Sequence, residues 1–207
     1  ERIADGLVGI ADDARANVEG TNMLARIAEQ ERYDFDAAVE LLLRAYAMAN
    51  NVELDLRVSL SINLMRVARL AGDYQAAETL GDSVAKWELT PSQRLRIELT
   101  RAQTWYVSGQ ARKVVRAMAK LTNLADDIDD TFGKMLCTSL WALSSLEVGR
   151  YDDARRLAES ALSQAESLGN RREIANQLNN LGLVYARLGL HEKASQTLNA
   201  AMTSDFT

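Results

Sequence analysis

Glycine recurs at a nearly fixed interval along this chain of 207 residues. Gly72, Gly109, Gly149 and Gly189 are separated by 37, 40 and 40 residues. A sequence period of this length is typical of proteins in which one supersecondary unit stacks on the next. Because each unit buries its apolar face against its neighbours, we expect a solenoid of such units, with a core that runs as a strip between the layers.

The composition favours helices over strands. The chain contains 11 Gly and 1 Pro, and only 6% of its residues are aromatic. Few glycines and prolines leave long segments uninterrupted, and aromatic residues, which strands prefer, are scarce. We therefore expect an all-α fold in which each repeat is a pair of helices joined at its glycine.

Helical periodicity and turn residues divide the chain into five hairpins. Residues 1–18 are predicted to form a lead-in helix that Gly20 ends, and the step Tyr33-Asp34 replaces glycine as the turn of the first hairpin. We expect a single repeat domain over 1–207. The predicted hairpins span residues 21–51, 54–88, 91–126, 131–169 and 171–203.

Alanine follows four of the turns at a matching position. Since only a small side chain fits where two helices cross closely, these positions are predicted to mark the crossing point of each hairpin. They are Ala38, Ala77, Ala154 and Ala194.

The charge of the chain argues against nucleic acid and anionic membranes as partners. The net charge is −5, whereas phosphate binding requires concentrated Lys and Arg. A local basic segment, Arg94 to Lys120, precedes an acidic stretch, Asp126 to Asp130. The simplest interpretation is that these are solvated helix faces and a loop of opposite charge. The basic segment also contains Arg96, Arg101, Arg112, Lys113 and Arg116.

The patterns of catalytic and metal sites do not occur in the sequence. His191 is the only histidine and Cys137 the only cysteine, so neither a histidine cluster nor an internal disulfide can form. No Gly-x-x-x-x-Gly-Lys loop is present to hold a nucleotide. We expect no enzymatic activity, no metal and no cofactor. One cysteine and the lack of an apolar stretch near 20 residues favour a cytoplasmic protein.

The residues around the last turn resemble tetratricopeptide repeats. The resemblance is carried by Leu181, Gly182, Tyr185, Gly189, Ala194 and Ala201. It extends over residues 21 to 203, and the period near 40 is similar to the longer-helix type of LuxR/MalT-type transcription activators, Rap-type regulators and kinesin light chains. The resemblance implies a right-handed superhelical solenoid of about five hairpins plus an N-terminal helix. Because Glu1 is not a methionine and no polar capping helix ends the array, we expect a fragment of a larger protein.

In this family the first helix of each hairpin lines a concave groove, and the resemblance implies a binding site there. The candidate groove residues are Asn63, Arg66, Arg69, Gln103, Tyr106, Asn176, Asn179, Asn180 and Arg187. Asn63 and Asn180 occupy the position whose amide holds peptide backbone in relatives. The alternative is that these amides solvate an exposed face or tie one hairpin to the next. The fourth hairpin presents Leu143 and Leu146, with Glu147 at the edge.

Arg66 and Arg69 are three residues apart and share a helix face. Such a pair can clamp a carboxylate or phosphate. The alternative is a solvated ridge of two cations. The clamp predicts that replacing both arginines by alanine weakens ligand binding with little change in melting temperature.

These expectations together imply a ligand-sensing or protein-interaction domain of a multidomain bacterial signalling protein, similar to a LuxR-type transcriptional regulator. Its groove would hold a protein or peptide segment, or a small-molecule inducer, without direct contact with nucleic acid or membrane. The alternative is a stand-alone protein-interaction scaffold, or a module that forms a homodimer through its terminal hairpins.

Overall fold

The computed structural model describes residues 14–32, 34–48 and 53–204. Every regular element within these ranges is an α-helix, which confirms the all-α fold. Ten helices are described: α1 Ala14–Arg32, α2 Phe35–Met48, α3 Leu54–Leu70, α4 Tyr74–Val84, α5 Pro91–Val107, α6 Ala111–Asp127, α7 Thr131–Glu147, α8 Tyr151–Leu168, α9 Arg171–Arg187 and α10 His191–Ser204.

The chain divides into two compact units, one ending at Thr104 and the other beginning at Trp105. In the first unit α1 packs on α2, α2 on α3 and α3 on α4. In the second unit α6 to α10 pack in chain order, and α7 also contacts α9. Within each unit, these helices pack on their neighbours in sequence, as in an array of helical hairpins.

The repeat glycines end helices in the left-handed conformation. All four have a positive φ, between +74° and +85°. At Gly149 the chain closes α7 with two hydrogen bonds, from the Gly149 N–H to the Leu146 carbonyl at 3.1 Å and from the Arg150 N–H to the Ser145 carbonyl at 2.8 Å. A residue with a Cβ is strained at such a φ, which explains why glycine recurs at the sequence period.

The alanines after the turns are buried, as expected for crossing points. Ala38, Ala77 and Ala154 have no exposed surface, and Ala194 is 5% exposed. In the last hairpin the helices also approach at Gly182, where an added Cβ would lie 2.7 Å from Cγ of Leu198. Small residues therefore set the separation of the two helices in this hairpin.

The prediction that Gly20 ends a lead-in helix is wrong. Helix α1 runs without a break from Ala14 to Arg32, so the first hairpin begins before residue 21. A glycine inside a helix costs only about 1 kcal/mol relative to alanine, and Val18, Thr21 and Ala25 continue one buried face on both sides of it. Residues 1–13 of the predicted helix, and Tyr33 of the predicted turn, lie outside the described residues.

Two apolar clusters show how neighbouring hairpins share a core. In the first unit Leu42 of α2 packs in one cluster with Leu60 of α3. In the second unit Ala142 of α7 packs with Ala158 of α8 and Val184 of α9. Full burial of a side chain as large as Val184 contributes roughly 1.5–3 kcal/mol. No helix in the described part of the chain is both long and apolar enough to cross a bilayer.

Candidate functional site

Asparagines on first helices reach back to the preceding hairpin in both units. Nδ2 of Asn180 on α9 donates to Oγ of Ser139 on α7 at 3.1 Å. In the first unit, Nδ2 of Asn63 on α3 donates to Oδ1 of Asn22 on α1 at 3.0 Å. Both amides therefore tie one hairpin to the next, which is the structural role that the sequence left open for them. A primary amide has a second N–H and a carbonyl oxygen, so this bond does not exhaust its capacity to bind a ligand.

Three side chains from successive first helices gather in the second unit. Tyr106 is the second-last residue of α5, Glu147 ends α7 and Arg187 ends α9. Nη2 of Arg187 lies 3.7 Å from Oε1 of Glu147. Burial raises the pKa of Tyr106, the Glu147 carboxylate raises it further, and the Arg187 guanidinium lowers it. The phenol, the carboxylate and the guanidinium therefore lie within electrostatic range of one another.

A cleft of about 980 Å³ opens beside this cluster, where the turn before α6 meets the end of α7. Its lining residues are Tyr106, Val107, Gly109, Gln110, Ala111, Arg112, Lys113, Arg116, Glu147 and Val148. A smaller adjoining pocket of about 220 Å³ is lined by Arg112, Val115, Arg116, Val148 and Arg150. The two pockets share the guanidinium groups of α6, so we treat them as one basic cleft.

Cations outnumber acids in the basic cleft. Its cations are Arg112, Lys113, Arg116 and Arg150, against the single carboxylate of Glu147. Nζ of Lys113 lies 4.2 Å from the centre of the Trp105 ring, which holds the ammonium in place by a cation–π contact. The side chains of Arg112, Arg116 and Arg150 are exposed. The cleft is therefore a positively charged surface next to an apolar wall formed by Val107 and Val148.

The start of α6 adds to this positive potential. Gln110 precedes α6 without a side-chain capping bond, and the first turn has no acidic residue. Arg112 and Lys113 stand there instead, although a helix N-terminus favours negative charge. Two cations at the positive end of a helix lower its stability unless a bound anion offsets their repulsion with the helix dipole.

The predicted groove residues are divided between the two units. Those in the first unit are Asn63, Arg66, Arg69 and Gln103; those in the second are Tyr106, Asn176, Asn179, Asn180 and Arg187. On α9, Asn176 and Asn179 are exposed, and Nδ2 of Asn176 lies 3.4 Å from Oε2 of Glu173. Since α9 also carries Asn180 and Arg187, four of the predicted residues share one helix.

Arg66 and Arg69 of the first unit are less exposed than the side chains of a solvated ridge would be. Arg66, Arg69 and Gln103 are all partly buried. Burial lowers the pKa of Arg69, and the neighbouring Arg66 lowers it further, while Tyr74 raises it. Within the described part of the chain, Nε of Arg69 is buried without a hydrogen-bond partner. The carboxylate or phosphate clamp at this pair stays a prediction.

The prediction that Leu146 of the fourth hairpin lines the groove is wrong. Leu146 was expected to line the groove, but it is only 6% exposed and packs in the core with Leu181 and Val184. The apolar side chain gains more from this burial than from facing solvent. Glu147, the next residue, is exposed as expected for a groove edge.

The described residues hold no cluster of three or more His, Cys, Asp or Glu side chains suited to a metal ion. Cys137 is fully buried, and its burial, with a smaller contribution from Asp130, raises the pKa of the thiol to about 12. Since the thiolate is the nucleophilic form of cysteine, this side chain is unreactive at neutral pH.

Sequence reasoning did not assign a binding role to the cations of the cleft. The sequence did indicate a basic helix face, because Arg112 and Arg116 are four residues apart and therefore lie on the same side of the helix. The sequence did not indicate that Arg150 would join these two arginines, since Arg150 belongs to a different hairpin. Ser139 was also missed, because a serine inside a helix does not indicate which helix it will contact.

The fold and these surfaces define an all-α protein built from tetratricopeptide-like helical hairpins. Residues 134–205 match the family model described as Tetratricopeptide repeat. No curated protein sequence is significantly similar to the chain.

Solved structures with the same fold cover most of the chain. A Rap protein complexed with Competence and Sporulation Factor has a TM-score of 0.78 and 14% identity, covering 97% of this chain and 55% of the Rap chain. The signal transduction ATPase with numerous domains and a tetratricopeptide repeat sensor, from Pyrococcus horikoshii, has a TM-score of 0.74 and 19% identity, covering 97% and 31%. Repeats from Podosopora anserina, described as a kinesin light chain, have a TM-score of 0.68 and 19% identity, covering 93% and 95%. At these identities the likeness concerns the fold.

Proposed function

We propose that this chain is a binding module that holds a peptide segment of a protein partner on the first helices of its second unit. The observation that carries the proposal is the set formed by Tyr106, Glu147 and Arg187, which brings a phenol, a carboxylate and a guanidinium from three successive first helices within electrostatic range. A surface assembled from several repeats suits an extended ligand, because each repeat contributes one contact along its length.

The chemistry of this surface fits a polypeptide backbone with polar side chains. Asn180 and the exposed amide of Asn179 offer donors and acceptors without net charge. The Arg187 side chain is 66% exposed, and its pair with Glu147 is long at 3.7 Å. A loosely held guanidinium of this kind can exchange its partner for a carboxylate of the ligand at little cost.

The same proposal places the module in a larger signalling protein, similar to a LuxR-type transcriptional regulator. Two of the structurally similar proteins support it: the Rap protein is described with Competence and Sporulation Factor, and the Pyrococcus horikoshii protein carries a repeat sensor in a signal transduction ATPase. In such a protein, the ligand would bias the module between two arrangements by binding one of them more tightly.

Peptide binding can be tested with an array of short, unrelated peptides and fluorescence anisotropy on those that bind. We expect the double variant Asn180→Ala with Arg187→Ala to weaken the best peptide by about tenfold or more, which corresponds to about 1.4 kcal/mol. The matched control, Asn123→Ala with Arg171→Ala, changes an exposed asparagine on α6 and an exposed arginine at the start of α9. No binder on the array, or equal loss in both variants, contradicts the proposal.

Self-association is the second candidate function, and the last hairpin favours it. Met202 is 66% exposed, and Leu183 and Leu190 are 47% and 40% exposed. These exposed apolar side chains of the last hairpin are candidates for a contact with a second copy of the chain. If this hairpin mediates a homodimer, light scattering will show a mass that rises with concentration, and Met202→Lys will abolish the rise. A mass that stays monomeric at all concentrations rejects the dimer.

A further inference from the structure

We infer that the basic cleft receives the carboxylates of an acidic, extended segment of the partner protein. The inference rests on the proposed function, because it names the chemistry of the peptide that the module holds. Tyr106 and Glu147 belong both to the first-helix cluster and to the cleft lining, so a peptide on the first helices can continue into the cleft.

The cleft cations have few internal acids to neutralise them. Within the described part of the chain, Arg112, Arg116 and Arg150 form no ion pair, whereas Arg155, Arg156 and Arg187 of the same unit each pair with a carboxylate. The chain as a whole has a net charge of −5. Arg112, Arg116 and Arg150 therefore form a local concentration of positive charge on an acidic protein, and such a patch attracts anionic partners.

The spacing of the cations suits an extended polypeptide. Arg112 and Arg116 are one helical turn apart, with their Cβ atoms about 5–6 Å from each other. In a strand, side chains at alternate positions lie on the same side about 6.5–7 Å apart. An acidic residue at every second position can therefore place one carboxylate against each guanidinium, and each of these can be bidentate.

The surroundings favour a peptide over a single phosphate. The guanidinium groups of the cleft are exposed, so no enclosed cradle holds a small anion away from water. Val107, which is 46% exposed, gives the cleft an apolar wall for the aliphatic parts of a peptide. An extended peptide also agrees with the proposed function, because the cleft shares Tyr106 and Glu147 with the first-helix surface that is proposed to hold a peptide.

The test uses a short fluorescein-labelled peptide in which Glu alternates with Thr, and the matched peptide in which Gln replaces each Glu. We expect the Glu peptide to bind and the Gln peptide to bind at least about tenfold more weakly. The double variant Arg112→Gln with Arg116→Gln should lose about tenfold in affinity for the Glu peptide. Arg150→Gln should lose a smaller factor, since it removes one cation.

The matched control is Arg171→Gln with Arg172→Gln. These two arginines are exposed at the start of α9, outside the lining of the cleft, and their replacement changes the net charge equally. If the cleft acts through direct contacts, the control retains the wild-type affinity. Equal loss in both double variants means that net charge alone attracts the peptide, and this overturns the inference. Melting temperatures check that each variant is folded.

Other outcomes separate this inference from the function on which it rests. If unrelated peptides bind but the Glu peptide does not, the acidic segment is wrong and the binding module stands. If no peptide binds, both fail. If a fluorescein-labelled thymidine oligonucleotide binds more tightly than the Glu peptide and loses affinity in the cleft variant, the cleft is a nucleic-acid site and the inference is overturned.

Discussion

The amide of Asn180 donates a hydrogen bond to the hydroxyl of Ser139 at 3.1 Å, across 41 residues of sequence. Asn63 and Asn22 form the equivalent bond in the first unit over the same separation. The repeat therefore contains a polar link between successive first helices, placed on the surface where we propose that peptide binds. The link positions the amide for a ligand while contributing to the stability of the array.

A double-mutant cycle measures the contribution of this link to the free energy of unfolding. For Asn180→Ala and Ser139→Ala we expect a coupling of about 0.5–1.5 kcal/mol, the usual net value of a hydrogen bond. Urea denaturation followed by circular dichroism provides each value. The pair Asn179→Ala and Ser139→Ala is the control, since Asn179 is exposed and has no bond to Ser139. Equal coupling in both cycles would contradict the link.

Asp130 stabilises the start of α7 by a side-chain cap. Its carboxylate accepts a hydrogen bond from the Gly133 N–H at 2.7 Å. Asp130→Ala should lower the free energy of unfolding by about 1 kcal/mol, the usual cost of losing such a cap. Arg150 precedes α8 at the same position without a capping bond, so Arg150→Ala should change stability by less than about 0.5 kcal/mol. Similar losses in the two variants would show that the cap contributes nothing.

Cys137 should be protected from thiol reagents in the folded protein. Burial raises the pKa of its thiol to about 12, so almost no thiolate is present at pH 8, and the buried sulfur is inaccessible. We expect iodoacetamide to label the native protein very slowly and the urea-unfolded protein rapidly, as measured by mass spectrometry. Equal labelling rates before and after unfolding would show that the thiol is exposed.

The same shift in pKa predicts the direction of a pH effect on stability. The folded state retains the thiol proton up to pH values near 12, whereas the unfolded chain loses it near the ordinary pKa of 9.0. Above that ordinary value the unfolded state binds fewer protons, so this group lowers stability as pH rises towards 12. The slope cannot exceed about 1.4 kcal/mol per pH unit for one group. Urea denaturation of the wild type and of Cys137→Ala across this range isolates the contribution.

Replacing Arg69 by Met should stabilise the first unit. The Arg69 guanidinium is partly desolvated beside Arg66, and its Nε is buried without a hydrogen-bond partner among the described residues. Met keeps the aliphatic packing and removes the charge. We expect a gain on the order of 0.5 kcal/mol in the free energy of unfolding. Arg96→Met, at an exposed position on α5, is the control. A loss of stability at Arg69 would indicate that its charge has a favourable partner.

The parts of the fold that follow local rules were predictable from residues. Gly149 and Gly189 have the left-handed backbone conformation. Few other residues tolerate this conformation, so glycines at the repeat period predicted the turns. Ala154 is buried because only a small side chain fits between close helices. Gly20 was misjudged because a glycine in a helix costs little, and the buried face formed by Val18 and Ala25 outweighs it.

The parts of the site that depend on several helices were not predictable in this way. Leu146 and Glu147 are adjacent, yet one is in the core and the other is on the surface, which is decided by the packing of α7 against α9. The role of Asn180 depends on Ser139, and nothing in the local sequence of either residue identifies the other as its partner.

By itself the sequence determined the helical hairpins, their period and the positions of most turns, because backbone conformation and helix periodicity are set by residues close together in the chain. Only the tertiary structure decided which polar groups meet. Arg112 and Arg116 were visible as a basic helix face, but the cleft that they line also requires Glu147 and Arg150 from the next hairpin. Contacts between residues far apart in sequence arise from packing, and one sequence carries no direct record of them.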